Sequence, residues 1–152
     1  MTMKAFRCAA LAAASLTLAF AAPAMADDPW PVESGDYVEV SMIAVDDGAD
    51  LQYMNHLAGQ WRKGQDFAKA QGWISGYEIL ANQNKRPGEP DYYLITRFPR
   101  FADKAEEKKR DDAYFAHMQS TTAAMQAGSA ERSKYRRQLG SQLLRALTWK
   151  QK

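Results

Sequence analysis

The chain has 152 residues, with 20 Lys and Arg against 18 Asp and Glu, and a single cysteine. That length suits one domain with a real core and leaves little room for a second. Near-balanced charge gives no net positive field of the kind nucleic-acid binders keep, and one cysteine excludes an internal disulfide and a cysteine metal cluster.

Residues 1–26 read as a secretory signal peptide. Lys4 and Arg7 make a positive start, an alanine-rich apolar run extends from Cys8 to Ala22, and Pro23-Ala24-Met25-Ala26 puts small residues at −3 and −1 of a cut after Ala26. The run is too short to span a bilayer. The expected mature protein is therefore secreted or periplasmic, with no transmembrane segment and no thiol, because Cys8 leaves with the leader. Its 126 residues (152 less 26) carry 18 basic and 18 acidic side chains. They are unevenly spread: residues 27–61 hold eight acidic residues and no basic one, while residues 62–152 hold 18 basic and 10 acidic. Such halves pair with each other or across subunits more readily than with an external polyanion.

Residues 27–36, DDPWPVESGD, have no apolar period and read as an N-terminal arm. The domain is placed at 37–152. Tyr37 to Val45 alternates as a strand, with Val38, Val40, Met42 and Ala44 on one face and Tyr37, Glu39, Ser41, Ile43 and Val45 on the other. Asp46-Asp47-Gly48 ends it and Asp50 suits a helix N-cap. From Leu51 to about Gln71 the period is helical. Leu51, Met54, Leu57, Ala58, Trp61 and Ala68 share a stripe, with His56, Gln60 and Lys63 opposite and Gly72 as the stop.

Gly76–Asn82 and Asp91–Phe98 read as two strands joined through KRPGEP, whose turn chemistry suits an antiparallel hairpin. Residues 102–126 form a second helical region, charged at first and then carrying Tyr114, Phe115, Met118, Thr122 and Met125 on one stripe. Gly128-Ser129 is expected to break it, a basic helical piece AERSKYRRQ follows, and SQLLRALTWK closes the chain as a fourth strand.

Strand, helix, strand, strand, helix, strand is the split βαβ order: an α+β, ferredoxin-like four-stranded antiparallel sheet with both helices on one face. GWISGYEILANQN, the Pro/Gly turn and DYYLITRFPRFAD entering a charged helix resemble the dimeric α/β-barrel superfamily. That group includes antibiotic-biosynthesis monooxygenases, haem-degrading monooxygenases and related small stress proteins. The resemblance covers most of residues 37–149 and involves no catalytic signature. It implies two sheets packed face to face in a homodimer. The strand chemistry agrees, because a sheet apolar on both faces needs more cover than one helical layer supplies.

His56 and His117 stand one on each helix and would meet as ligands only if the helices lie side by side; surface or rim positions are the simpler account. No HExxH and no His/Asp cluster points to zinc. The haem-degrading relatives bring haem to mind through Asn55, His56 and Trp61. Those residues do not match that pattern, so no role is carried over and no cofactor is expected. Trp61 fits the core stripe or a ligand wall.

Tyr93 and Arg97 share one face of the third strand, and an arginine there needs a partner. Glu78 on the neighbouring strand would make an ion pair; otherwise Arg97 would hold a ligand carboxylate, with Tyr93 hydrogen-bonding to it. The run Arg132, Lys134, Arg136, Arg137 reads as a solvated face. The functional expectation is a homodimer that binds a small molecule between sheet and helices, walled by Met42, Met54, Trp61, Phe115 and Met118, with Tyr93, Arg97, His117 and Glu78 as polar candidates. The alternative is a monooxygenase-like enzyme, cofactor-independent or haem-linked. In the cofactor-independent form, a bound substrate of low enough pKa would react with oxygen as its own carbanion.

Overall fold

In the computed structural model, residues 29–151 are described; residues 1–26, read above as a signal peptide, Asp27 and Asp28 of the expected arm, and Lys152 lie outside them. The elements are β1 (Val32–Val45), α1 (Asp50–His56), a π-helical turn (Leu57–Trp61), α2 (Arg62–Ala70), β2 (Gly76–Ala81), β3 (Tyr92–Phe98), α3 (Lys104–Met118), α4 (Thr122–Arg132) and β4 (Arg136–Trp149). The strands make one four-stranded antiparallel sheet in the order β2-β3-β1-β4. This is the ferredoxin-like order, with the first and third strands central.

Alternation along β1 divides the core between the two faces of the sheet. Ile43 and Val45 point to the helices and pack with Tyr53 and Leu57, flanked by Tyr92, Leu94, Met54 and Trp61. Val38, Val40 and Ile95 form a second cluster with Tyr93 and Ala146 on the other face. The β1–β3 register, with Ile43 opposite Tyr92 and Val40 opposite Ile95, places each pair on its own side. Tyr53, Ile43 and Leu57 are the most deeply buried side chains, at 1–2% exposure. Each contributes on the order of 2 kcal/mol through area removed from water.

The first strand is longer than its alternation shows. Val32, Glu33 and Ser34 pair with Trp149, Thr148 and Leu147, so part of the predicted arm is strand, held by the far end of β4. β4 itself starts at Arg136, within the stretch read as a basic helix, and slips register between Gly140 and Gln138 opposite Met42 and Ile43.

The second helical region is two helices. Gln119, left-handed at φ 51°, ends α3, and Thr121 caps α4 by accepting from the Ala124 N–H at 3.2 Å. The break expected at Gly128-Ser129 does not occur, and α4 runs through both residues to Arg132. Thr121 supplies a start signal there, whereas a lone glycine within a helix costs only about 1 kcal/mol. At the other end, Asp103 caps α3 by accepting from the N–H groups of Ala105 and Glu106 at 2.9 and 2.8 Å.

The predicted hairpin forms. Lys85 reaches Asp91 at 2.6 Å, and Asp91 also accepts from the Val45 N–H at 2.9 Å, tying the loop to the sheet. Burial works against the Asp91 carboxylate, but Lys85 and the Val45 N–H prevail and hold its pKa below the usual range.

Candidate functional site

A cleft of about 450 Å³ opens on the helical side, walled by the α1–π segment, α3, the α3–α4 link and α4. His56, Gln60 and Trp61 supply one wall, Tyr114 and Met118 the second, and Gln119, Ser120, Met125, Gly128 and Arg132 the rest. No sheet residue lines it. Of the side chains expected to wall a pocket, Trp61 and Met118 are present; Met42 points to the opposite face of the sheet, beside Gly140.

The π turn builds the first wall. Arg62 N–H bonds back to the Leu57 carbonyl, five residues earlier, so each π turn takes in one more residue than an α turn. In an uninterrupted α-helix His56 and Trp61 would point about 140° apart. The wider turn brings both to the cleft while Leu57 stays against the sheet. Trp61 is fixed from behind by an edge-on contact with Tyr77, centroids 5.3 Å apart, and the Tyr77 hydroxyl donates to Asp66.

Glycines open the other walls. A Cβ on buried Gly64 of α2 would collide with the Tyr114 hydroxyl, with Cε2 and Cζ only 3.1 Å away, so the missing side chain leaves the space in which Tyr114 seats against α2. A Cβ on Gly128 would lie 3.2 Å from Arg132 Nη1; its absence makes room for the guanidinium along α4.

The cleft's electrostatics are one-sided. Loss of hydration pushes the His56 pKa down to about 4, and Arg132 and Arg136 push the same way, so the ring is neutral at neutral pH. Burial raises the Tyr114 hydroxyl above its ordinary value. Burial and then the neighbouring Arg136 lower the pKa of Arg132. No carboxylate lines the cleft.

The other predicted site residues lie elsewhere. Arg97 donates to Glu78 at 2.5 Å on the helix-free face, both side chains about 40% exposed, and Tyr93 packs against the apolar cluster on that same face. His117 stacks on Phe67, ring centroids 4.1 Å apart and 10° from parallel, beside a shallow depression formed by Ala58, Gly59, Lys63 and Ala70. Only Trp61 of the five reaches the cleft. His56 and Arg132 are its basic members, and neither was expected in a pocket: the helical wheel put His56 opposite Trp61, and the basic run read as a solvated face. The sequence signal for α4's placement is Thr121 ahead of an alanine-rich stretch.

Among the described residues, no group of three or more His, Cys, Asp or Glu side chains could hold a metal ion. No helix among them is long and apolar enough to cross a membrane. No protein-family model matches the chain, and no curated protein is similar to it in sequence. Among solved structures, the chain is similar to HapK from Hahella chejuensis, with 71% of this chain and 90% of that chain covered, 10% identity and a TM-score of 0.41. A likeness of that degree carries no argument about function.

Proposed function

We propose that the protein is an exported, homodimeric small-molecule-binding protein of the dimeric α/β-barrel type, with its ligand in the cleft between the π turn, α3 and α4. The observation that carries this reading is the cleft itself: apolar walls from Trp61, Tyr114, Met118 and Met125, with a neutral His56 and the cationic Arg132 among them. Export rests on the N-terminal leader pattern. The dimer rests on the helix-free face, where Leu80 and Leu144, each 48% exposed, stand in register with Tyr93 and Val38 beside the second apolar cluster. A second sheet would cover that face.

The test is purification of the mature protein from the compartment to which its own cell exports it, followed by native mass spectrometry and an absorbance spectrum. The expected result is a dimer mass with a retained small molecule. A monomer without added mass, with cleft resonances indifferent to cell extract, contradicts the reading.

A second reading, a monooxygenase-like enzyme, is favoured by the un-ionised His56 imidazole, whose lone pair is available at neutral pH beside Trp61 and Tyr114. A Soret band in the same spectrum would select its haem-linked form. Oxygen uptake with a bound acidic substrate would select the cofactor-independent one.

A further inference from the structure

We propose that the ligand of the cleft is an organic acid, with an apolar body of aromatic size against Trp61, Tyr114, Met118 and Met125 and its carboxylate received by the guanidinium of Arg132, with Arg136 behind. This rests on the cleft being a ligand site and adds the chemical class of what it takes.

The unusual partnering of these two arginines points to an anion. Every other arginine among the described residues has a carboxylate partner or, for Arg145, the ring of Tyr37, 3.9 Å from its guanidinium carbon. Arg132 and Arg136 have neither, and the Nε atoms of both are sealed from solvent without a hydrogen-bond partner. Two guanidinium groups repel each other close to Tyr53 and His56, and no carboxylate among the described residues pairs with either. An unpaired, partly desolvated guanidinium is costly, and a bound carboxylate meets its fork geometry with charge-assisted hydrogen bonds.

Gly128 supports the assignment. It lines the cleft in mid-helix and leaves the space that Arg132 Nη1 occupies, so the guanidinium lies along the cleft wall. The remaining polar lining, Gln60, Gln119 and Ser120, is uncharged. A cationic ligand would find no carboxylate there. A phosphate dianion is disfavoured because Arg132 sits in the last turn of α4, where the helix presents carbonyl oxygens and the negative end of its dipole. One negative charge on an apolar body fits the lining.

The test uses the mature full-length protein and a matched pair of probes, 2-naphthoate and its neutral twin 2-naphthamide, titrated at pH 7 while the Trp61 indole resonance is followed. The acid is expected to bind at least tenfold more tightly, shifting Trp61, with the preference shrinking as salt is raised. Arg132→Met removes the preference, and Arg132→Lys keeps part of it. Gly128→Ala retains the charge but displaces the guanidinium, and it reduces the preference even if Arg132→Met folds poorly. Equal binding of acid and amide, or a preference that survives both variants, overturns the organic-acid assignment while leaving the cleft as a site. Competition by inorganic phosphate at similar concentration overturns the apolar half of it. If neither probe moves Trp61, the ligand cleft itself is refuted, and the acid with it.

Discussion

The two sides of the sheet handle arginine in opposite ways. On the helix-free side Arg97 meets Glu78, an ordinary cross-strand ion pair open to water. On the helical side Arg132 meets no carboxylate, although its Nε is sealed from solvent. A paired cation at the surface reports on folding. An unpaired one beside a cleft reports on something the fold leaves open, because stability alone gives no reason to keep it.

The largest expected effect concerns the foundation of the helical side. Leu57 lies in the π turn and is 1% exposed against Ile43 and Tyr53, so Leu57→Ala should cost about 3 kcal/mol in urea denaturation. Leu144→Ala, at a half-exposed position on the other side, should cost far less in the monomer; equal losses would show that the two sides do not differ in packing.

Next comes pH. The folded His56 pKa is depressed to about 4 by burial first and then by Arg132 and Arg136. The unfolded chain therefore takes up the proton earlier as pH falls. Stability should be full above about pH 6.5 and decline toward pH 4, by about 1–2 kcal/mol once solvent screening is allowed for. His56→Gln should flatten that part of the profile. A profile identical to that of the parent protein would mean that His56 is hydrated.

The arginine contrast itself predicts smaller effects. Arg132→Met should leave stability unchanged or raise it by about 1 kcal/mol, since relief of the unpaired guanidinium outweighs a lost helix-dipole interaction of a few tenths. A loss of about 3 kcal/mol, the order expected for a broken buried pair, would show that Arg132 has a structural partner after all. The smallest effect belongs to Arg97→Met, at most about 0.5 kcal/mol, because an exposed ion pair contributes little. A double-mutant cycle with Glu78→Gln measures it, and a coupling well above 1 kcal/mol would break the contrast from the other side.

The same pair of residues shows what could be read from the chain alone. Arg97 was legible: strand alternation fixes its face, and a hairpin with Pro and Gly in the link puts Glu78 one strand away. Arg132 was not, because it lies where α4 gives way to β4, and only the arrival of α4 beside α1 puts it at a cleft. His56 was misplaced for a definite reason. A wheel at 100° per residue assumes one kind of helical turn, and a single π turn in LAGQW rotates everything before it relative to everything after.

Local rules, then, determined the element order, the faces of the central strands and the hairpin. Each follows from a period of two, a helical stripe or a turn signal within a few residues. The sequence also carries the leader pattern. Tertiary structure decided the rest: the pairing that turns Val32 to Ser34 into strand, the split at Gln119 that frees α4 to close the cleft, and the meeting of His56, Trp61 and Arg132. Those three come from α1, the π turn that continues it, and α4. Their proximity depends on helix packing and on space left by Gly64 and Gly128, which no short-range pattern encodes.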